Sequence, residues 1–539
     1  MAIALVLRLN NVGFGLPSLY DPDEPLFMVK AATLLSEPTY NPRWFGHPGS
    51  TTIYLTALIQ ALVFLTGLVT GQYAGVKDFI AAAYADPAML FLPVRVVMAL
   101  LGTACVALTY LLGRRLFGRP EGLLAAGFLA LNGLHIAWSQ VIRTDIHASV
   151  FMLAALLFAA RLVRGGGRMR DAVAAGVLTG FAIATKWPAA TVFVGIIGAT
   201  AHLALSRAIT MRRGAMLVGA SGAATIAGLF LASPFVFIDY PTVLSNLSGE
   251  ARPFHLGHTG GGFLSNLGTY LGVHAAESMG WLGLALALVG IAVVALRSAE
   301  GGAILLPATV AFFVGICAQH LIWSRWLLPG LPFLSLFAAV AVMAGVRWLV
   351  GRVPAKARPA LAGLAAAMAL LPSAAGALDQ SRERANDTRA QAVAWVVANA
   401  PPGSRIVLEH LELKLRSHPF RFLFPIGRAG CLDGEGLLKG GVEYDDLQQA
   451  RGASPIVDLG NVGSDRVSTC RADFAILTYY DLYLLEQARW PDQLTTYRRV
   501  LEGGHTAALF RPVGGRAGGP VVRIVALPPQ KATKSVDLR

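Results

Sequence analysis

Apolar segments of about the length that a helix needs to cross a bilayer recur along the chain up to residue 378. Beyond that point the sequence becomes polar. The pattern predicts a polytopic α-helical membrane protein, with a membrane domain at residues 1–380 and a soluble domain at residues 381–539. The apolar segments are residues 51–70, 91–112, 122–138, 146–163, 172–185, 189–205, 215–238, 281–296, 303–323, 327–349 and 360–378.

The composition agrees with a membrane protein. Hydrophobic residues make up 55% of the chain and charged residues 14%, whereas a soluble globular chain carries roughly a quarter charged residues. The net charge of +14 could indicate nucleic acid, but many Lys and Arg lie in short loops between apolar segments. This is the positive-inside pattern of membrane proteins, so we expect membrane lipid and no nucleic acid as a partner.

The basic loops predict the topology. If the basic loops at 114, 164, 207, 297 and 347–358 all lie in the cytoplasm, the apolar segments between them cross the membrane in alternating directions. Residues 51–70 then either cross, which places residues 20–25 in the cytoplasm, or lie along the outer surface as a juxtamembrane or re-entrant helix within a first external loop at residues 17–88. We expect the second arrangement. We therefore expect about eleven crossings, the N-terminus inside and the C-terminal domain outside. Because the apolar run before Arg8 is too short to span a bilayer, we expect it to be the second half of a first helix.

An acidic turn, Tyr20-Asp21-Pro22-Asp23-Glu24-Pro25, lies between apolar segments near the N-terminus. A carboxylate beside a bilayer has a large free-energy cost unless it is paired or solvated, and one that is neither is expected to have a function. One interpretation is a solvated turn in which Asp23 caps a helix from Pro25 to Leu35. The other is an active-site loop, and the turn alone leaves both open.

Further charged and histidine residues are predicted at external helix ends, where cations break the positive-inside rule. Such cations suggest an anionic ligand. Arg and Lys can stabilise charge growing on a departing lipid phosphate, while an Asp removes the proton of an incoming hydroxyl. If the transferred group is a sugar, direct attack inverts the anomeric centre. These residues are His47, Arg95, Arg143, Asp145, Lys186, Asp239, Glu250, Arg252, His255, His258 and Arg325.

The order of these motifs over residues 1–380 resembles the GT-C superfamily of polyprenyl-phosphate-dependent glycosyltransferases. The resemblance extends to its bacterial members related to protein O-mannosyltransferases and to lipid A aminoarabinose transferases. The motifs are Asp23-Glu24 after a first helix, His47-Pro48, the run from Arg95 through Tyr110-Leu111-Leu112-Gly113-Arg114-Arg115-Leu116-Phe117-Gly118, Arg143-Thr144-Asp145, Thr185-Lys186 and Arg325-Trp326-Leu327-Leu328-Pro329.

The resemblance implies a glycosyltransferase that moves a monosaccharide from a polyprenyl-phosphate carrier to an acceptor hydroxyl on the external face of the inner cell membrane. Asp23 matches the catalytic base and Glu24 its acidic neighbour. Asp145 matches a metal-binding position of oligosaccharyltransferase relatives, but without a second acid nearby we expect a metal-independent enzyme with no cofactor. The residues expected to bind substrate are Asp21, His47, Arg95, Arg143, Asp145, Lys186, His255, His258 and Arg325.

Structural roles compete with these assignments. Lys186 could be a snorkelling residue at a helix end, and Asp145 could form a structural pair with Arg143. Arg325 could pair with Asp239 or Glu250, and His255 with His258 could be ordinary loop residues. Trp138, Trp281 and Trp323 are typical of interface anchors.

At the level of function, the alternatives are a transporter or lipid flippase and an inactive scaffold of a cell-envelope complex. The sugar, the acceptor and the carrier length stay open.

The polar C-terminal part predicts a small α/β domain with a scaffold or acceptor-binding role. An amphipathic helix is expected at residues 388–400. Cys431 and Cys470 are a candidate disulfide if this domain lies in an oxidising compartment. The strands are expected at residues 405–408, 473–478, 506–510 and 521–525.

Overall fold

The computed structural model describes residues 1–37, 39–410, 412–434, 444–452 and 456–528. The chain forms two compact units. We call them the membrane unit and the C-terminal unit. The membrane unit comprises Met1–Gly13, Asp23–Phe79 and Met89–Ser381, and the C-terminal unit comprises Phe14–Pro22, Ile80–Ala88 and Arg382–Arg539.

The described chain as far as Ala385 is built from α-helices, joined in three places by 3₁₀ turns, Trp187–Val192, Ser324–Gly330 and Ala355–Ala357, and in one by a π-helical turn, Tyr270–Ala275. The α-helices are Ala2–Leu9, Glu24–Ser36, Ser50–Val69, Val76–Ala85, Ala88–Leu116, Arg119–Ala130, Gly133–Trp138, Thr144–Arg164, Met169–Thr185, Phe193–Leu205, Met211–Ala232, Phe235–Ile238, Tyr240–Glu250, Phe263–Thr269, Ala276–Arg297, Ala299–Cys317, Leu331–Val350 and Arg358–Ala385.

Within the described residues, nine helical segments are long and apolar enough to cross a membrane. The chain is therefore a multi-pass membrane protein, as the apolar segments predict. The expected number of about eleven differs partly because two predicted crossings form shorter helices. Residues 122–138 are divided at Asn132, whose side chain accepts a hydrogen bond from the His135 amide at 2.9 Å and begins a new helix. Residues 172–185 lie in the 17-residue helix Met169–Thr185.

Ion pairs mark one end of the helical bundle. Arg164 pairs with Glu300 at 3.2 Å, and Arg347 pairs with Glu121. Asp145 lies at the opposite end of the Thr144–Arg164 helix, roughly 30 Å from Arg164 at 1.5 Å per residue. The basic loops and the polar external residues thus lie at opposite ends of this helix, as the charge pattern predicts. Which end faces the cytoplasm stays a prediction.

The Ser50–Val69 helix has contacts that favour a position along the membrane surface, although its length and composition also suit a crossing. Near its C-terminal end, Gly67 packs against Tyr73, whose hydroxyl lies 3.6 Å from the sulfur of Met89. Met89 is in the first turn of the Ala88–Leu116 helix, which carries Arg95. Since both ends of the Ser50–Val69 helix therefore lie near polar residues of the same bundle end, the surface position remains our expectation.

Small residues bring neighbouring helices into close contact. A Cβ at Gly180 would lie 2.3 Å from the Thr225 carbonyl oxygen, and one at Gly228 would lie 2.5 Å from that of Val177. Glycine is therefore required where Met169–Thr185 crosses Met211–Ala232, as is common between membrane helices.

The C-terminal unit contains a six-stranded sheet in the order β3-β2-β1-β4-β6-β5. β1 is parallel to β2 and β4, and the other pairs are antiparallel. This is the α/β domain that the sequence predicts, but β2 and β3 escaped prediction because Pro425 within β2 argues against a strand. The strands are β1 Arg405–Leu408, β2 Arg421–Ile426, β3 Gly430–Asp433, β4 Phe474–Leu477, β5 His505–Phe510 and β6 Val522–Ala526, and the helices are Thr388–Asn399, Tyr444–Arg451, Tyr480–Leu485 and Pro491–Val500.

Cys431 and Cys470 form a disulfide across 39 residues of sequence. A cross-link over a loop of this length removes chain entropy from the unfolded state, which corresponds to about 4 kcal/mol. We expect the double variant Cys431→Ala/Cys470→Ala to lower the urea midpoint for proteolysis of residues 382–528 in the full-length protein. Cys105→Ala, which changes a buried free thiol of the membrane unit, is the control. An unchanged midpoint in the double variant would contradict a stabilising disulfide.

Candidate active site

Asp23 occupies the N-cap position of the Glu24–Ser36 helix, but its side chain makes no capping hydrogen bond. Its carboxylate instead accepts a hydrogen bond from Arg143 and lies 3.9 Å from an Arg325 nitrogen. The side chain is 43% exposed. Burial opposes ionisation, but the charges of Arg143 and Arg325 outweigh it and hold the pKa of Asp23 below its usual range. The solvated-cap interpretation therefore does not describe this residue.

The two arginines reach Asp23 from different parts of the chain. Arg143 is in extended backbone just before the Thr144–Arg164 helix, and Arg325 is in the Ser324–Gly330 turn. Both guanidinium groups approach Trp138, with ring-centroid distances of 5.6 Å for Arg143 and 5.8 Å for Arg325. Cation–π attraction on this shared ring helps to hold two like charges side by side. Trp138 is thus part of the site.

Asp145 pairs with Lys186, and both are buried. The position of Lys186 is set by a short antiparallel bridge to Pro48, and the Trp187 amide donates to the His47 carbonyl at 2.8 Å. The expected pairing of Asp145 with Arg143 is therefore replaced by one with Lys186. The described residues contain no group of three His, Cys, Asp or Glu side chains that could hold a metal ion.

His47 brings a neutral imidazole to the site. Burial, together with the charges of Lys186 and Arg325, lowers its pKa to about 3. Its ring contacts Trp44 at a centroid distance of 5.1 Å, edge to face. Its buried Nδ1 finds no hydrogen-bond partner among the described residues. A ring that stays uncharged at neutral pH adds no further positive charge to the cluster.

The His255–His258 loop lies against Arg325. His258 stacks on Trp323 at a centroid distance of 3.6 Å, and the Arg325 guanidinium lies 4.0 Å from the same ring. The loop is held by the Ile322 amide, which donates to the His258 carbonyl at 2.9 Å. Burial lowers the pKa of His258 to about 4, so the stacked ring is neutral at pH 7. Both histidines thus lie beside Trp323 and Arg325, an arginine of the cluster.

Glu24 and Arg95 form a fully buried ion pair. Arg95 donates to the two carboxylate oxygens of Glu24 at 2.8 and 2.5 Å. Glu24 also accepts from the Ile142 amide at 2.9 Å, and Arg95 donates to the Val12 carbonyl at 3.2 Å. The pair therefore ties the residue after Asp23 to the residue before Arg143. This geometry favours positioning roles for Glu24 and Arg95 over contact with a substrate.

Of the eleven site residues predicted from the sequence, eight lie in or beside the cluster in the membrane unit. They are Asp23, His47, Arg143, Asp145, Lys186, His255, His258 and Arg325. Asp21 belongs to the C-terminal unit. The aromatic platforms Trp138 and Trp323 were expected only as interface anchors, although the spacing Trp323-Ser-Arg325 places an aromatic ring next to a cation.

A cavity opens beside the Asp145–Lys186 pair. Its remaining lining residues are apolar and come from four helical segments of the membrane unit. Its volume, about 10 Å³, has room for about one water molecule. The apolar lining residues are Ala148, Met152, Pro188, Ala189, Phe312, Ile316, Trp326 and Pro329.

The fold and the site define a polytopic membrane protein of GT-C type. The family model for dolichyl-phosphate-mannose-protein mannosyltransferase matches residues 89–237. The crystal structure of apo ArnT from Cupriavidus metallidurans is similar over 98% of both chains, with 15% identity and a TM-score of 0.51. The GT-C resemblance predicted from the motifs is thereby confirmed, and the chain has an ArnT-like fold.

Two further structures are similar at lower TM-scores. ArnT from Cupriavidus metallidurans bound to undecaprenyl phosphate is 15% identical over 98% of both chains, with a TM-score of 0.49. The archaeal oligosaccharyltransferase AglB from Archaeoglobus fulgidus, in complex with an inhibitory peptide and a dolichol-phosphate, is 15% identical over 95% of this chain and 73% of its own, with a TM-score of 0.48. No curated protein sequence matches the chain.

The buried pair predicts an asymmetric response to mutation. Arg95→Met leaves the Glu24 carboxylate buried without its cation, so we expect a loss of about 3–5 kcal/mol in stability. The double variant Glu24→Gln/Arg95→Met should recover part of that loss because no charge remains. The measurement is thermal unfolding of the protein in detergent. Arg43→Met is the control, since Arg43 pairs with Glu37 at the exposed surface. If Arg95→Met and Arg43→Met lower the unfolding temperature equally, the buried pair does not stabilise the protein.

Proposed function

We propose that this chain is a membrane glycosyltransferase that transfers a monosaccharide from a polyprenyl-phosphate carrier to an acceptor hydroxyl. The observation that carries the proposal is the meeting of Asp23 with Arg143 and Arg325, beside Lys186, in a chain of GT-C fold. The matching family model is named for dolichyl phosphate mannose, a polyprenyl-phosphate sugar. The proposed location is the inner cell membrane, with the site and the C-terminal unit on the external face.

The donor phosphate binds to the cationic side chains Arg143, Lys186 and Arg325. Guanidinium groups match phosphate oxygens with two parallel hydrogen bonds, and a lysine adds a compact charge. These cations hold the phosphate as it leaves and stabilise the negative charge that develops on it.

Asp23 is the base that removes the proton of the acceptor hydroxyl. In the free protein it is held by Arg143 and Arg325, and this lowers its basicity. When the donor phosphate binds the same two arginines, they share their charge between phosphate and carboxylate, and Asp23 becomes a stronger base. Donor binding thereby prepares the base before the acceptor reacts.

The reaction is a single displacement. The acceptor oxygen bonds to the anomeric carbon, the bond from that carbon to the phosphate oxygen breaks, and the acceptor proton moves to Asp23. Attack opposite the phosphate inverts the anomeric centre. Because phosphate is a good leaving group, no acid catalyst is needed, and no step uses a metal ion or cofactor.

Replacing the base tests the proposal directly. Asp23→Asn keeps the size of the side chain but cannot take up a proton, so release of polyprenyl phosphate from a panel of radiolabelled donors should fall at least 100-fold, as expected for loss of a general base. Donor affinity should be retained or increased, since the two arginines lose a competing carboxylate. Turnover and equilibrium binding are measured on purified protein in lipid.

Glu37→Gln is the matched control, because Glu37 follows the same helix and is exposed. It should leave turnover unchanged. Full activity of Asp23→Asn would remove Asp23 as the base, and a protein that binds no donor of the panel would point to a transporter instead.

Because Asp23 and the donor phosphate contact the same two arginines in the proposed mechanism, we expect kcat and kcat/KM to depend differently on pH. The acid limb of kcat/KM reports the free protein, in which the pKa of Asp23 lies below its usual range. The acid limb of kcat reports the donor complex, in which the pKa is higher, so kcat should begin to fall at a higher pH than kcat/KM. Acid limbs at the same pH would show that donor binding does not change the environment of Asp23.

A further inference from the structure

The helix Ser50–Val69 begins with three consecutive hydroxyl residues, Ser50, Thr51 and Thr52. Serine and threonine side chains at the start of a helix commonly bond to backbone amides nearby. Here each of the three hydroxyl groups bonds to a side chain at or next to the end of a different helix of the membrane unit. The first turn of this helix therefore ties three other helices together.

Thr51 holds the residue that precedes Lys186. Its hydroxyl oxygen lies 2.6 Å from that of Thr185, the last residue of its helix. Thr185 donates its single hydroxyl proton to the Phe181 carbonyl at 2.7 Å, so Thr51 is the donor in the hydrogen bond between the two threonines. The Gly49 amide also donates to the Thr185 carbonyl, at 3.2 Å. The backbone next to Lys186 is thus held by a side chain and by an amide.

Thr52 holds the helix that carries Asp145. Its Oγ1 forms a hydrogen bond of 3.1 Å with Nδ1 of His147, which lies two residues after Asp145 near the start of that helix. Thr52 and His147 are both buried, so this hydrogen bond is shielded from water. Thr51 and Thr52 are adjacent, with Cα atoms about 3.8 Å apart. Their two bonds therefore fix the backbone on both sides of the Lys186–Asp145 ion pair.

We propose that Thr51 and Thr52 are positioning residues that hold the Lys186 ammonium group in place for the donor phosphate. A lysine side chain is a point charge on a flexible stem, so its position depends on the backbone that carries it and on its partner, Asp145. The two threonines fix both of these backbones from one helical turn and act through the ion pair. This inference rests on the proposed role of Lys186 in binding the phosphate.

Ser50 provides a matched control in the same turn. Its hydroxyl oxygen lies 2.6 Å from that of Ser233, the same distance as between Thr51 and Thr185. Both serines are fully buried. Thr51→Val and Ser50→Ala therefore each remove one hydroxyl–hydroxyl bond from the start of the same helix, but only the first removes a bond to the residue before Lys186.

The first readout is the affinity of polyprenyl phosphate for the full chain in lipid nanodiscs. Thr51→Val keeps the shape of the side chain but loses the hydroxyl group, so we expect the affinity to fall about fivefold, as for loss of one buried hydrogen bond. Thr52→Val should weaken binding similarly. Thr51→Ser, which keeps the hydroxyl group, and Ser50→Ala should both stay within about twofold of wild type. If Thr51→Val binds as tightly as wild type, or if Ser50→Ala weakens binding equally, the proposal is wrong.

A double-mutant comparison shows whether Thr51 acts through the ion pair. The background Asp145→Asn/Lys186→Met removes both charges and leaves neither of them buried alone. In this background Thr51→Val should change the affinity less than about twofold, because the ammonium group that Thr51 positions is absent. A further fivefold loss would show that Thr51 acts independently of Lys186 and would overturn the proposal.

Hydrogen exchange provides a readout that needs no donor. The amides of Gly49 and Trp187 donate to carbonyls on the facing segment, across the contact that Thr51 supports. Exchange at both amides should be faster in Thr51→Val than in wild type and unchanged in Ser50→Ala. Equal exchange in Thr51→Val and wild type would contradict the proposal. Faster exchange in a chain whose wild type binds no polyprenyl phosphate would support the role of Thr51 in holding the backbone and reject the proposed function.

Discussion

The structure of the site depends on one constraint, the need to keep two arginines, a lysine and two aspartates together at the ends of membrane helices. Each of these charges is costly near a bilayer unless it is paired. Asp23 is matched with Arg143 and Arg325, and Asp145 with Lys186. Among these five residues the cations exceed the carboxylates by one. The two guanidinium groups and the ammonium group can all donate to phosphate oxygens, and this is the physical basis for the proposed donor-phosphate site.

The same constraint explains the elements around the site. Trp138 and Trp323 lie against the guanidinium groups, and His258 stacks on Trp323 as a neutral ring. Glu24 and Arg95 neutralise each other in the interior and connect the backbone on either side of the charged cluster. Aromatic rings and a buried ion pair therefore support the charged side chains. This support can fix the positions of the charged side chains before a substrate binds.

The sequence predicted the cluster members because each is a charged residue next to the end of a predicted apolar helix. It could not predict their pairing, since the partners are distant in sequence. Arg143 and Asp145 suggested a local pair, but helix formation begins at Thr144 and directs them to different partners, Asp23 and Lys186. Similarly, nothing local to Asp21 or Tyr20 indicates that their segment belongs to the C-terminal unit, because that contact involves residues nearly 400 positions later.

In the proposed function, this cluster binds the phosphate of a polyprenyl donor. Its most direct test is the affinity of polyprenyl phosphate for the purified protein in lipid nanodiscs, comparing wild type with Arg325→Met and with the exposed-site control Arg43→Met. Loss of one charge-assisted phosphate contact should weaken binding about tenfold or more in Arg325→Met, with Arg43→Met unchanged. Equal affinity in all three proteins would contradict the account.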